Sequence, residues 1–312
     1  MTVAQSLPPR NVVVVRADET IDHHWLGGQI QVYDTGVLSR YAFSMARDHV
    51  PSGGGPMWHY HTREEETFYV MSGQFRFRTS IDRDGVVLRA GDIANLPIGV
   101  PHRFENIGDQ TAELLFWTCP GGNMQFFLDL SKPSGEAVSS DEAPSPKQFQ
   151  TAGERYGIEM IGPELADDFV LPPLGRDRQA AISRLGEGSR LGEGGTTEIG
   201  DATATLRLSG GQTAERLETA TVRLPPGGKI PATRHGRYTV MLYVLRGQLS
   251  VGDGDAGQTA VADSSAVVIV PFGAEYAIDN TGDDEAEFLM IAGPAGLLTR
   301  HWRDHESAGI VR

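Results

Sequence analysis

Three histidines and one glutamate stand out in this sequence by type and spacing. In GGGPMWHYHTREEETFYVMSG, His59 and His61 are two residues apart. On a β-strand, side chains two apart leave the same face, so both imidazoles point the same way. Glu66 follows five residues later, at the start of the next apolar run. In GDIANLPIGVPHRFEN, Pro97 and Gly99 read as a turn and His102 opens the strand after it. Three neutral imidazoles and a carboxylate converging on one point would hold a divalent metal. Imidazole suits zinc, copper, iron and nickel, and the carboxylate extends the set to manganese. An isolated buried histidine is ordinarily a hydrogen-bonded core residue. A carboxylate in an apolar interior is costly unless paired or bound to metal, which sets Glu66 apart.

These residues need short strands to carry them, and the chain supplies such strands twice. ETFYVMSGQFRFRTS holds two β-rich runs around Ser72-Gly73, Asp84-Gly85 is a hairpin turn signal, and ELLFWTC and EFLMIAG are short apolar runs. Pro51 matches Pro225, Gly53 matches Gly227, His61 matches His235, and YVMSGQ from Tyr69 matches YVLRGQ from Tyr243. Pro97 and Gly99 match Pro271 and Gly273, and NIGDQTAELLF from Asn106 matches NTGDDEAEFLM from Asn280, all at a constant offset of 174. Short strands with closely spaced turns, and no helical run between them within either copy, predict an all-β fold of two duplicated sandwiches or barrels.

The stretch from Ser131 to Gln148 is rich in Ser, Pro and charge and reads as an exposed linker. Weak helical character follows around Phe149 to Tyr156, and RLGEG occurs twice between Arg184 and Gly194, which reads as a surface loop. The expected division is 1–147 for the first barrel and 148–312 for a linker helix and the second.

Alternation extends the first site. Met57 lies two residues before His59, Phe68 two after Glu66, and Phe104 two after His102, so all three share the ligand face. An apolar pocket around a metal with an open position suits a flat aromatic substrate carrying a chelating oxygen. The competing reading for these three side chains is ordinary core packing.

At 312 residues the chain is long enough for two domains, and its net charge of −14 disfavours phosphate backbones. One cysteine, Cys119, excludes an internal disulfide framework and a cysteine-rich zinc site. No apolar run has the length of a signal peptide core or a membrane span, so a soluble, cytoplasmic protein is expected. LSGGQ at Leu208 to Gln212 is a turn, because no phosphate-cradling loop accompanies it. His23, His24, His301 and His305 read as exposed polar residues, His49 as a loop residue, and Cys119 as a buried structural thiol.

The two histidine segments resemble the paired motifs of the cupin superfamily. The first, G-x5-H-x-H-x4-E-x6-G, is met by Gly53, His59, His61, Glu66 and Gly73. The second, G-x5-P-x-G-x2-H-x3-N, is met by Gly91, Pro97, Gly99, His102 and Asn106. The second copy keeps Gly227, Gly247, Pro271, Gly273 and Asn280 but carries Thr233, His235, Val240 and Tyr276 at the ligand positions, and Ser265 in place of Gly91. The resemblance implies two tandem jelly-roll (double-stranded β-helix) barrels with His59, His61, Glu66 and His102 as ligands of one divalent transition metal (Fe, Mn, Ni, Co, Cu or Zn) in the first. It implies no metal in the second. Metal in the first barrel alone is similar to quercetin 2,3-dioxygenase-like bicupins and to pirin-like proteins. In the former, a flavonol binds through its 3-hydroxyl, the ligand glutamate takes that proton, O2 attacks the enolate and carbon monoxide leaves. Carried over, Glu66 is ligand and catalytic base, Met57, Phe68 and Phe104 contact an aromatic substrate, and O2 is the co-substrate. Neither nucleic acid nor membrane is expected as a partner, and a homodimer is left open. Another metal-dependent cyclase, isomerase or lyase of a biosynthetic pathway, or a non-enzymatic metal sensor, is the alternative.

Overall fold

The computed structural model describes residues 11–134, 144–186, 196–254 and 257–299. The chain begins with β1 (Val13–Val15), and the first barrel with β2 (Ile21–Trp25), β3 (Gly28–Asp34), β4 (Ser44–Val50), β5 (Trp58–His61) and β6 (Glu65–Ser72). It continues with β7 (Gln74–Thr79), β8 (Val86–Arg89), β9 (Ile93–Leu96), β10 (His102–Asn106), β11 (Ala112–Cys119), α1 (Met124–Leu130) and the short β12 (Lys132–Pro133). The connection holds α2 (Pro146–Tyr156), β13 (Ile158–Gly162) and β14 (Ala181–Ser183). The second barrel runs through β15 (Thr196–Ile199), β16 (Ala202–Leu208), β17 (Glu218–Leu224), β18 (Lys229–Arg234) and β19 (Thr239–Arg246). It ends with β20 (Gln248–Asp253), β21 (Gln258–Asp263), β22 (Val267–Val270), β23 (Glu275–Asp279) and β24 (Ala286–Gly293).

Each barrel is a pair of antiparallel sheets. The first pairs β12-β2-β3-β4-β11-β6-β9-β14 with β13-β5-β10-β7-β8, and the second pairs β1-β22-β19-β24-β17-β16-β15 with β18-β23-β20-β21. The all-β, double jelly-roll architecture is thus the one expected. The duplication is visible atom by atom. Asn106 donates its side-chain amide to the carbonyls of Val50 and Gln110 at 2.9 and 2.8 Å. Asn280 does the same to Leu224 and Asp284, at 2.9 and 2.8 Å. Where Gly91 takes φ +90°, the second copy accepts φ +69° at Ser265, a left-handed conformation that glycine tolerates better.

The run ELLFWTC has no strand-like alternation because both its faces are buried. Leu114 and Phe116 of β11 point into the first barrel, while Leu115 and Trp117 join Tyr33, Phe43 and Met45 in a layer between the barrels. From the other side, β24 treats Phe288 and Met290 as barrel core and sends Leu289 and Ile291 into that same layer. A sheet covered on both faces reads as a continuous apolar run.

The strand pairing does not follow a cut at 147/148. β1 pairs with β22 of the second barrel, Val13 opposite Ile269, whereas β13 and β14 pair with β5 and β9 of the first. α2 is longer than the expected 149–156 stretch because Ser145 and Gln148 form a capping box with Pro146 in the first turn, and Gly157 closes it in the left-handed region. Most of the doubled RLGEG stretch, and His301 and His305, lie outside the described residues.

Candidate metal centre

The strand frame brings the two motif segments together. His102 is the first residue of β10 and lies opposite His59 of β5 in the ladder. β6 starts at Glu65, so Glu66 enters the barrel beside them. One nitrogen or oxygen from each of His59, His61, Glu66 and His102 lies within 4.8 Å of the others. All four residues are buried. Glu66 Oε2 is 3.2 Å from His102 Nε2 and 3.3 Å from His61 Nε2.

The outer nitrogens are tethered one by one. Nδ1 of His59 meets the Met57 carbonyl at 2.8 Å, Nδ1 of His102 meets the Val100 carbonyl at 2.9 Å, and Nδ1 of His61 meets Glu64 Oε1 at 3.2 Å. An acceptor at Nδ1 places the proton there, so the Nε2 lone pair faces the common centre. His61 Nε2 is buried without a hydrogen bond. Inward lone pairs, a carboxylate and an orphaned buried nitrogen fit a divalent cation and are poorly explained as core packing.

The electrostatics have the same shape. Burial, reinforced by His102 and His61, pushes His59 down from 6.5 to about 3. Burial alone would depress His61 too, but the carboxylates of Glu66 and Glu64 outweigh it and raise the imidazole. Burial likewise opposes the charge on Glu66, yet His61 and His102 hold its carboxyl below the usual carboxylate range. A proton on His61 therefore balances Glu66, the charge that a bound dication would balance in its place.

A cavity of about 270 Å3 opens against this cluster, lined by His59, His61 and Glu66 but not by His102. Met57, Phe68 and Phe104 all line it. Phe68 stands 5.2 Å from Phe104 and 5.6 Å from Phe116, centroid to centroid. Sequence reasoning missed the rest of the wall. Phe126 and Phe127 come from α1, Phe149 from α2, and Met160 from β13, elements whose place against the barrel no local pattern reveals. It also missed Asp48. That residue is in phase with Ala46 and Val50 on β4, a polar residue at a core-facing position, and this was the available signal.

In the second barrel the equivalent positions hold one imidazole. His235 Nε2 meets the Tyr276 hydroxyl at 3.2 Å, and Val240 is fully buried. Elsewhere, His49 lies in β4 rather than in a loop, with Nε2 3.1 Å from Gln31 Oε1, and His23 Nδ1 meets Ser131 Oγ at 2.7 Å. The thiol of Cys119 is free, buried and pushed up to about 12 by that burial. Gly210–Gln212 of LSGGQ forms one 3-10 turn. Among the described residues no helix is long and apolar enough to cross a membrane.

Two jelly rolls in tandem, the first built around a buried set of three histidines and a carboxylate, define a two-barrel metal-binding protein of the cupin type. The family model for the cupin domain matches residues 46–118 and again 220–292, and the chain is accordingly a bicupin. It is 39% identical over 104 residues to the polyketide synthase CurC of Streptomyces cyaneus, covering 32% of this chain and 64% of that one. It is 22% identical over 198 residues to quercetin 2,3-dioxygenase of Bacillus subtilis, covering 62% and 57%. The chain thus spans about three fifths of the length of the curated relatives it matches. Among solved structures, oxalate decarboxylase from Bacillus subtilis at pH 4.6 superposes with a TM-score of 0.60 at 19% identity, over 93% of this chain and 77% of that one. The formate complex of Lactobacillus farciminis oxalate decarboxylase gives 0.59 at 17%, over 91% and 86%. At such identities the likeness speaks to fold alone.

Proposed function

We propose that the protein is a metal-dependent enzyme that acts on a hydroxylated aromatic compound in its first barrel, as a dioxygenase of the quercetinase-like kind. The observation that carries this reading is the aromatic cavity of about 270 Å3 contiguous with the four-residue cluster. His59, His61, Glu66 and His102 would hold one divalent transition metal, which when bound supplies Lewis-acid polarisation of a substrate oxygen. The Nδ1 tethers fix the imidazole planes. Phe68, Phe104 and Met57 would clamp the ring and exclude water. Glu66, beside the bound hydroxyl, would accept its proton. O2 is the co-substrate, and both its atoms end in products.

A second reading is non-oxidative ring chemistry, a cyclisation or isomerisation in a biosynthetic pathway. The 39% identity to a polyketide synthase component favours it. Both readings place one metal in the first barrel.

Elemental analysis of protein purified without added metal, followed by oxygen-electrode assays with a flavonol, tests them. Dioxygenation requires one O2 consumed per flavonol lost. Conversion of aromatic substrates without oxygen uptake selects the second reading. Metal binding without any turnover would leave a sensor, and failure to load any cation would overturn all three.

A further inference from the structure

A second carboxylate opens into the same cavity. Asp48 lies on β4, 8% exposed, with Ile30 of β3 and Leu114 of β11 as its ladder neighbours, both fully buried. Its strand neighbours Arg47 and His49 turn to the opposite face, where both meet Glu113. No group among the described residues donates a hydrogen bond to the Asp48 carboxylate or pairs with it. Among the described residues no lysine or arginine lines the cavity, and the other ionisable groups facing it are Glu66, His59 and His61. The remaining wall is apolar, including Trp25, Val50, Phe116 and Phe127.

An acceptor left unpaired in an apolar pocket costs stability, and a ligand that brings a donor recovers that cost on binding. Glu66 is engaged otherwise, since its Oε2 already faces two imidazoles and it would serve the hydroxyl held at the metal. Asp48 is the uncommitted one.

We propose that Asp48 determines the substrate class of this site: a neutral ring compound that presents a hydroxyl donor to its carboxylate, with small carboxylate anions rejected. The inference rests on the reading that the cavity takes hydroxylated aromatics, and it adds what the ring must carry. Recognition runs through an O–H donating to a carboxylate, a stronger bond than one between neutral partners. Rejection follows because an anion entering here loses its water beside Asp48 and meets no cationic side chain, and the charge of the bound metal is already offset by Glu66 and Asp48 together. Burial, and then the charge of Glu66, push the Asp48 carboxyl up to about 7, so the carboxylate that accepts the hydroxyl prevails above neutral pH, where binding is read.

Three probes of one size decide the matter: 2-naphthol, 2-methoxynaphthalene and 2-naphthoate. Each is titrated calorimetrically into the metal-loaded full-length protein and into Asp48→Ala and Asp48→Asn. The wild type is expected to bind the naphthol at least about tenfold more tightly than its methyl ether, and Asp48→Ala to lose that preference. Asp48→Asn keeps an acceptor without the charge and is expected to gain about tenfold or more for naphthoate. Equal binding of naphthol and ether by the wild type, or an unchanged preference in Asp48→Ala, overturns the recognition role. Unchanged naphthoate affinity in Asp48→Asn overturns the rejection role. A wild type that binds no ring at all overturns the aromatic reading, and the inference with it, so the two failures are told apart. Metal content and melting temperature are measured on each variant, and Asp48→Val replaces Asp48→Ala should the latter not fold.

Discussion

The backbone N–H of Gly99 donates to the carbonyl of His61 at 2.8 Å and so ties the second motif segment to the first. The same bond recurs in the second barrel, from Gly273 to His235, again at 2.8 Å. It is a scaffold feature that survives where the ligands are gone. Gly99 takes φ +76°, and a Cβ on it would lie 2.4 Å from the backbone nitrogen of Gly175 in the connecting segment. Gly99→Ala should therefore destabilise the protein by about 1–3 kcal/mol and lower its metal content. Gly273 takes φ +83° with nothing within 4 Å of such a Cβ. Gly273→Ala should be the milder change and leave metal content intact. Thermal melts and elemental analysis of the pair check this; equal losses would refute it.

Glu64 should matter without touching the ion. It holds His61 Nδ1 at 3.2 Å and is itself 4% exposed. Glu64→Gln keeps the shape and removes the charge that makes His61 a better donor. Metal affinity should fall about 10- to 100-fold, whereas Glu66→Gln, which removes a ligand oxygen's charge, should cost more. Competition with a chromophoric chelator gives both constants.

Acid should destabilise the metal-free protein through His59. Its folded pKa is depressed from 6.5 to about 3, so the unfolded chain binds the extra proton between those values. Stability carried by the neutral imidazole is present above about 6.5 and is lost as the pH falls through that window. Melting temperature against pH should slope downward on the acid side and flatten in His59→Asn. A slope unchanged by that substitution would place the acid sensitivity elsewhere.

The ligand set was legible in the sequence because it sits in two short segments whose spacing survives in any register of strands. Duplication was legible because one offset spans strands, turns and the Asn106 and Asn280 anchors alike. The aromatic wall was not, since Phe126, Phe127 and Phe149 reach the cavity from helices outside the repeated unit. The exchange of β1 and β14 between barrels was hidden for a related reason. Val13 to Val15 and Ala181 to Ser183 are three-residue strands, and only their distant partners in β22 and β9 decide where they belong. Asp48 broke the apolar phase of β4 and was readable in principle, but on a strand that also carries Ser44, Arg47 and His49 one carboxylate has little weight until the cavity is seen.

Because the second barrel keeps the frame, its site should be recoverable. Thr233 and Tyr276 face each other in the ladder between β18 and β23, as His59 and His102 do between β5 and β10. His235 is already in place, with Nε2 directed to the Tyr276 hydroxyl at 3.2 Å. Thr233→His, Val240→Glu and Tyr276→His together restore the set of the first barrel at the offset of 174. The buried glutamate at 240 costs stability unless a cation compensates it. The triple variant should therefore melt lower than the wild type without metal, recover on loading, and bind one more equivalent of metal per chain. The Val240→Glu single change should show the loss without the recovery. Unchanged stoichiometry in a folded triple variant would mean that more than these positions separates the two barrels.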